Sequence, residues 1–161
     1  IEGVGWSFEC LHTPGHTSNH ICYALREENA LFTGDHVMGW STTVISPPDG
    51  DMRAYISSLR QLYKRNDKIY YPTHGAPIGN PLPFVRGLIT HRKMREGQIM
   101  ALLKNGNTTI PNMVQNMYKE LDPRLIPAAE RSVFAHVIDL WERGKIVCEG
   151  ELVINGVYSL S

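Results

Sequence analysis

The first part of the chain alternates apolar and polar residues in short runs, a pattern typical of half-buried β-strands. The runs cover Trp6–His12, Ile21–Arg26 and Ala30–Thr33. Residues 27–29 form a turn between the last two runs, so these two predict a hairpin. A fourth apolar run, Ile69–Tyr71, ends at Pro72. We therefore expect a small sheet within the first 72 residues.

Helical periodicity replaces this alternation in two places before residue 107. Residues 51–64 predict a helix, because Met52, Leu59 and Leu62 recur at helical spacing behind Asp51, a suitable N-cap. Residues 84–104 predict a longer helix, which Gly106 ends. Its apolar stripe consists of Phe84, Leu88, Met94, Ile99, Leu102 and Leu103.

A different arrangement begins near Asn107. Thr108 or Thr109 can cap a helix that runs to about residue 118, and a second helix is predicted over 128–143. Three short apolar runs follow as predicted strands: Ile146–Cys148, Leu152–Ile154 and Val157–Leu160. Two helices and a β-ribbon make the plan of a winged helix-turn-helix. We divide the chain into residues 1–83, a connecting helix over 84–106, and a winged-helix domain over 107–161.

Composition narrows the class of protein only moderately. The chain has 161 residues and three cysteines, none in a Cys-x-x-Cys pair, so a cysteine zinc site is not expected. An odd number of widely spaced cysteines suits free thiols in a reducing compartment, and we expect a cytoplasmic location. No apolar run approaches the roughly 20 residues of a membrane span.

Charge is distributed unevenly although the net charge is zero. Residues 51–106 hold ten basic and three acidic residues, which favours either an anionic substrate or a solvated basic helix surface. Residues 107–161 hold five basic and seven acidic residues. Since nucleic-acid affinity depends chiefly on phosphate neutralisation, we do not expect the winged helix to bind DNA. A packing or dimerisation role is favoured for it.

The chemistry of the chain is concentrated where three predicted strands end. His16, Asp35 and His74 each follow a strand and each lie beside a glycine. Imidazole nitrogen and carboxylate oxygen are suitable ligands for zinc, manganese or iron. The predicted hairpin carries His16 at one end and Asp35 at the other, so these two side chains should be close in space. A carboxylate between two histidines could bridge two metal ions. The alternative interpretation is that the three residues are unrelated and only cap their loops.

These motifs resemble the later motifs of the metallo-β-lactamase superfamily, in the same order. They are Thr13–Thr17 (TPGHT), Phe32–Asp35 (FTGD) and Pro72–Gly75 (PTHG). The stretch 43–52, the 91–96 part of the long helix and the C-terminal unit are similar to the branch with a β-lactamase-associated winged helix. The resemblance implies the C-terminal half of an αββα fold, an α/β architecture, followed by an α-rich winged helix.

The resemblance also implies a ligand set and a reaction. His16 is a ligand of a first metal, His74 is a ligand of a second, and Asp35 is the bridging catalytic carboxylate. The cofactor is one or two zinc ions. The implied activity is hydrolysis, in which a hydroxide on the metal attacks an ester, thioester, amide or phosphodiester. An anionic thioester or ester and RNA are the substrate classes kept open.

One motif of the superfamily, His-x-His-x-Asp-His, does not occur in residues 1–161. We therefore interpret the chain as a C-terminal fragment that binds zinc weakly or not at all and is inactive by itself. We expect it to form homo-oligomers or to associate with the missing N-terminal half. The alternative, from another class, is a non-enzymatic winged-helix module that binds nucleic acid or protein.

The remaining histidines have structural interpretations. His12 and His20 flank the His16 loop and are expected to form hydrogen bonds. His36 is either a residue of the metal cleft or a packing residue. His91 is expected on a basic helix surface, and His136 in the core of the second unit.

Overall fold

The computed structural model describes residues 1–161, which form two units. The first, here called the sheet unit, consists of residues 1–43 and 49–91. The second, here called the winged-helix unit, consists of residues 44–48 and 92–161. None of the helices combines the length and the apolar character that crossing a membrane requires.

The sheet unit contains one five-stranded sheet and the helix α1. The strands are β1 (Glu2–Gly3), β2 (Trp6–His12), β3 (Ile21–Leu25), β4 (Ala30–Gly34) and β5 (Ile69–Pro72), and they lie in this order in the sheet. Neighbours are antiparallel except β4 and β5, which are parallel. The predicted hairpin of β3 and β4 is confirmed. Helix α1 (Met52–Tyr63) connects the parallel pair, as such a pair requires.

One face of this sheet is buried, because alternate residues of each strand point the same way. Its core residues include Leu11, Cys22, Ala24, Leu31 and Tyr70. Helix α1 buries Met52, Tyr55, Leu59 and Leu62. The Tyr70 hydroxyl donates to the Leu62 carbonyl over 3.4 Å, which ties β5 to α1. Asp51 caps α1 as predicted, since its side chain accepts from the Ala54 N–H over 2.9 Å.

The opposite face of the sheet carries a row of aromatic rings. Tyr23, Phe32 and Tyr71 are exposed, each to about two fifths of its surface. Phe32 stacks on Tyr71 with ring centroids 5.3 Å apart, and Phe8 contacts Phe32 at 5.8 Å. Phe8 also meets Tyr23 edge-on at 6.4 Å. An aromatic surface of this kind is unusual for a solvated sheet face.

The winged-helix unit is built from helices and a two-stranded ribbon. Helix α2 (Pro81–Lys104) contributes residues to both units, and α3 (Ile110–Met117), a 3₁₀ turn (Pro123–Leu125) and α4 (Ile126–Glu142) follow. Strands β6 (Ile146–Glu149) and β7 (Val157–Leu160) pair antiparallel. The core of the unit comprises Ile99, Leu103, Ile110, Met113, Val114, Val133, Val137, Leu140, Ile146 and Tyr158.

The expected strand at Leu152–Ile154 is wrong. Those residues form the loop between β6 and β7, where the Gly156 N–H donates to the Val153 carbonyl over 2.8 Å. The Tyr158 hydroxyl donates to the same carbonyl. Leu152 and Ile154 are partly buried against the core while Val153 is exposed. The loop therefore reproduces the apolar alternation of a strand although its backbone is bonded as a turn.

Candidate metal centre

The three predicted ligands meet because of the direction of their strands. Strand β3 is antiparallel to both β2 and β4, so β2 and β4 run the same way, and β5 is parallel to β4. The carboxyl-terminal ends of β2, β4 and β5 therefore lie at one edge of the sheet, here called the carboxyl edge. His16, Asp35 and His74 follow these three ends.

The Asp35 carboxylate lies between the two imidazoles. His16 Nε2 is 3.8 Å from Asp35 Oδ2, and His74 Nε2 is 3.5 Å from Asp35 Oδ1. The side chains of His16, Asp35 and His74 are 29%, 36% and 55% exposed, so the edge is open to solvent. Asp35 Oδ1 itself is buried and has no hydrogen-bond partner. The structure thus brings together all three residues singled out in the sequence.

The two pairs suit metal ligation better than hydrogen bonding. Both separations exceed the usual 3.2 Å limit of an N–H···O bond. Ligand atoms about 2.1 Å from a tetrahedral ion stand roughly 3.4 Å apart, which is close to both values. However, no group of three or more histidine, cysteine or acidic side chains has the arrangement of a metal site. The donor chemistry and the pairwise distances fit a metal, but three donors do not fill the shells of two ions.

The His16 loop is held against the start of α1. Gly15 has a φ of 142°, and a Cβ built on it would lie 2.3 Å from Tyr55 Cα. The Asp51 N–H donates to the Gly15 carbonyl over 2.9 Å, and the Ser58 hydroxyl donates to the Pro14 carbonyl over 2.8 Å. Only glycine allows this close approach, which explains its place before the histidine.

The Asp35 and His74 loops are joined to each other by backbone hydrogen bonds. The Thr73 N–H donates to the Gly34 carbonyl over 3.2 Å. The Gly39 N–H donates to the His74 carbonyl over 2.8 Å. Gly75 has a φ of 97°, and a Cβ there would lie 2.8 Å from the Gly39 backbone. The glycine beside His74 is therefore needed for the contact between the two loops.

Two further histidines form a neutral layer below these loops. His36 is fully buried, and its ring lies 4.7 Å from that of Tyr55 and 5.6 Å from that of His20. Burial, followed by the charges of His20 and His16, lowers the pKa of His36 to about 3. Burial also lowers the pKa of His20, whose Nδ1 lies 2.9 Å from Thr13 Oγ1. Of the two interpretations left open for His36, the structure favours packing.

Other residues considered in the sequence lie outside this constellation. His12 Nε2 is 3.0 Å from the Ser18 carbonyl oxygen. Asp49 accepts from the Ser18 N–H over 3.1 Å, which joins two loops that are 31 residues apart in the sequence. His136 is buried in the winged-helix unit. All three cysteines are free thiols.

Sequence reasoning missed the group that contacts His16 on its far side. Thr43 Oγ1 lies 3.1 Å from His16 Nδ1, and Thr43 is 2% exposed. Thr43 lies in a stretch without strand or helix periodicity, so no pattern indicated this contact.

The described site lies at the edge of a mixed sheet, and a winged helix follows it in the sequence. The sequence profile of the metallo-beta-lactamase superfamily matches residues 1–74. The profile of the beta-lactamase associated winged helix domain matches residues 109–153. The chain belongs to the metallo-beta-lactamase superfamily and carries its associated winged helix domain.

Two curated relatives illustrate the similarity in sequence. The lactamase-like protein aptB of Emericella nidulans is 35% identical over 75% of this chain and 40% of its own length. The atrochrysone carboxyl ACP thioesterase of Aspergillus fumigatus is 39% identical over 65% of this chain and 31% of its own length. The chain thus spans less than half the length of either relative.

The fold is also found in a crystal structure of a metallo-beta-lactamase family protein from Thermus thermophilus. The match has a TM-score of 0.85 and 22% identity, and it covers 100% of this chain and 52% of that chain. It confirms the expected fold class, an α/β part of the metallo-β-lactamase fold followed by a winged helix. Members of the superfamily usually bind metal ions, and the superfamily is one of hydrolases.

Proposed function

We propose that this chain supplies part of the active site of a zinc-dependent hydrolase. The observation that carries the proposal is the placement of Asp35 between His16 and His74 at one edge of the sheet. His16 Nε2 would bind a first metal ion and His74 Nε2 a second, with one Asp35 oxygen directed to each. When bound, zinc supplies a Lewis acid and activates water for attack on an acyl or phosphoryl centre.

The residues of the chain hold these donors in place and set the local charge. Backbone hydrogen bonds from Asp51 and Gly39 fix the loops that carry His16 and His74. Asp35 brings a negative charge that attracts cations. Because burial depresses the pKa values of His20 and His36, the layer below the site adds no positive charge that would oppose a cation.

A thioester is the substrate class that we favour. The 39%-identical relative carries the name of an acyl-carrier-protein thioesterase, and thioester hydrolysis needs the activated water that such a site provides. The basic excess of residues 51–106 suits an anionic carrier portion of the substrate. Other esters and RNA phosphodiesters also contain an electrophilic centre that activated water can attack. They are the alternative substrate classes, and an activity screen distinguishes them from thioesters.

We further propose that the chain alone binds zinc weakly or not at all and is inactive. Three donors shared between two ions leave most of each coordination shell to other groups. Zinc titration by calorimetry at pH 7.5 tests the proposed zinc binding. We expect any zinc binding to be weak, to be lost in Asp35→Asn, and to be unchanged in Asp122→Asn, a matched change at a partly exposed aspartate of the winged-helix unit.

The outcomes of this titration are distinct. Tight stoichiometric zinc binding by the unmodified chain would overturn the claim of weak binding. Binding that survives Asp35→Asn would overturn the assignment of the site itself. Activity is then measured on a full-length, metal-loaded protein against thioesters, other esters and RNA. If that protein hydrolyses none of these substrates, the proposed reaction is wrong.

We also propose that the aromatic face of the sheet, formed by Phe8, Tyr23, Phe32 and Tyr71, is covered in the working protein. In an αββα fold two sheets pack face to face, and an aromatic surface suits that role. In the isolated chain a second copy would take this place. Sedimentation velocity tests the expectation, and a chain that stays monomeric at high concentration would contradict it.

A purely nucleic-acid-binding role is not favoured. Helix α4 carries Glu130, Asp139 and Glu142 against Arg131, so it offers phosphates little neutralising charge. We expect no retention of duplex DNA at physiological salt and favour a packing or dimerisation role for the winged-helix unit.

A further inference from the structure

The indole of Trp40 is an apolar surface beside the candidate site that the proposed chemistry has not used. Trp40 is 74% exposed, more than any other large apolar side chain in residues 5–161. Tryptophan is highly buried on average, and it is enriched at the positions that contribute most to binding at protein surfaces. Because single exposed apolar residues are common, the position of this one decides its interpretation.

The loop that carries Trp40 contacts both of the proposed histidine ligands. The residue before it, Gly39, donates its N–H to the His74 carbonyl over 2.8 Å. Three residues after it, Thr43 Oγ1 lies 3.1 Å from His16 Nδ1. Since adjacent Cα atoms are about 3.8 Å apart, the Trp40 backbone lies one residue from the contact with the His74 loop. Trp40 therefore extends into solvent from the carboxyl edge.

The loop is held on both sides of Trp40. Val37 is fully buried and Thr43 is 2% exposed. Gly39 leaves no room for a side chain, because a Cβ there would lie 2.4 Å from the Ala76 carbonyl oxygen. An indole on a loop fixed in this way binds a ligand at a smaller cost in conformational entropy than one on a loose loop.

The charge along this part of the chain favours an apolar ligand over an anionic one. Residues 27–52 contain no lysine or arginine, but they contain five acidic residues. An anionic carrier therefore has no cationic partner here, and the basic excess lies in residues 51–106. The indole of Trp40 offers instead one of the largest apolar surfaces that a side chain can provide. Of the two portions of a thioester substrate, this loop suits the acyl portion.

We propose that Trp40 binds the acyl group of the thioester substrate and sets the preference for it. Its indole contacts an aromatic or long aliphatic acyl group while the thioester carbonyl lies at the carboxyl edge. This assignment deepens the proposed function and rests on it for the class of substrate. The contact between the indole and an apolar group requires no metal ion, so it can be measured on the chain itself.

Titration with thioether analogues of the substrate, followed by ¹H–¹⁵N correlation spectra, tests this contact. Thioethers replace thioesters because the exposed thiol of Cys10 could react with a thioester. The chain has three tryptophans, Trp6, Trp40 and Trp141, and each gives one indole N–H signal. We expect S-benzyl-N-acetylcysteamine at millimolar concentration to shift the Trp40 signal. The S-ethyl compound should shift it much less, because it offers less apolar surface.

Matched variants make this measurement specific. Trp40→Ala should weaken binding of the benzyl compound by about tenfold, and Trp40→Phe, which keeps an aromatic ring, should retain most of the affinity. Trp141→Ala, the same change at a tryptophan that is 45% exposed in the winged-helix unit, should leave the affinity unchanged. A Trp40 signal that does not move, a shift of the Trp6 signal in its place, or an unchanged affinity in Trp40→Ala would overturn the assignment. Should Trp40→Ala unfold, as far-UV circular dichroism would show, the signal in the unmodified chain still decides.

The full-length, metal-loaded protein provides the second readout, the ratio of kcat/KM for a benzoyl thioester to kcat/KM for an acetyl thioester. We expect Trp40→Ala to lower this ratio by about tenfold and Trp141→Ala to keep it. If the protein hydrolyses no thioester, the proposed function fails, while the Trp40 signal still reports whether the loop binds an apolar group. If it hydrolyses both thioesters and the ratio is the same in Trp40→Ala, the role of Trp40 is wrong and the proposed function stands.

Discussion

Gly15→Ala tests whether the His16 loop is held by direct contact with helix α1. The added Cβ would lie 2.3 Å from Tyr55 Cα, 2.5 Å from Tyr55 Cβ and 2.6 Å from Tyr55 N. These distances fall well inside ordinary van der Waals contact, which starts at 3.4 Å. Tyr55 is fully buried in α1, so its backbone cannot move aside alone. The loop or the helix must therefore shift.

Two effects add to the expected destabilisation. Overpacking of a close-packed site typically costs about 1–3 kcal/mol. The backbone at Gly15, with φ at 142°, is a conformation that side chains other than glycine rarely adopt, which costs a further ~1–3 kcal/mol. We expect Gly15→Ala to lower the free energy of unfolding of the sheet unit by about 2–6 kcal/mol, a large part of the roughly 5–15 kcal/mol typical of a domain.

Hydrogen exchange read by mass spectrometry is the suitable assay because it reports each unit separately. Peptides that cover β3 and β4 should exchange faster in Gly15→Ala, while peptides from α4 serve as an internal reference. Gly87→Ala is the matched control. Gly87 lies within α2 and has nothing within 4 Å of its Cβ position, so alanine there should stabilise the helix by about 0.5–1 kcal/mol.

The refuting result is clear. If Gly15→Ala exchanges in β3 and β4 like the unmodified chain, the close approach of the His16 loop to Tyr55 does not exist in solution. The reason given for a glycine before His16 would then be wrong. A general loss of protection in both units would also count against the reasoning, because the clash is confined to the sheet unit.

Two further predictions concern the buried face of the sheet. Leu31→Ala removes a fully buried side chain from β4 and should lower the free energy of unfolding by about 2–5 kcal/mol. Urea denaturation measures this loss, and a loss below about 1 kcal/mol would contradict the place of Leu31 in the core. Burial raises the pKa of the Cys22 thiol to about 11, so at pH 8 it stays protonated and should react with a thiol reagent far more slowly than the exposed Cys10. Mass spectrometry of the labelled chain gives the order of modification, and equal rates would contradict the burial of Cys22.

The strands of the sheet unit could be predicted because burial on one face imposes a period of two. Tyr23 is exposed between Cys22 and Ala24, which are buried, and this is the alternation that the sequence displays. The approach of His16 to Asp35 followed from the hairpin alone. The approach of His74 depends in addition on β5 pairing parallel to β4, which a helix between the two strands makes possible.

Periodicity was misleading where a loop packs on a core. Leu152 and Ile154 place apolar side chains against the winged-helix core, as a strand would, but their backbone forms a turn. The alternation of side chains reports burial and not the hydrogen bonding of the backbone. Thr43 shows the opposite case, in which a contact that matters for the site leaves no trace in the pattern because its loop has no regular structure and its partner lies 27 residues earlier.

The Asp35 carboxylate is an observation that supports the proposed cation at the carboxyl edge. Its Oδ1 atom is buried without a hydrogen bond, although buried polar atoms in folded proteins nearly always have a partner. The nearest candidate, His74 Nε2, stands 3.5 Å away, beyond hydrogen-bonding distance. Leaving such an oxygen unsatisfied typically costs about 1–3 kcal/mol. The proposed ion between Asp35 and the imidazoles would satisfy the carboxylate and both facing nitrogens together, whereas a direct hydrogen bond would require His74 Nε2 or His16 Nε2 to move closer to Asp35.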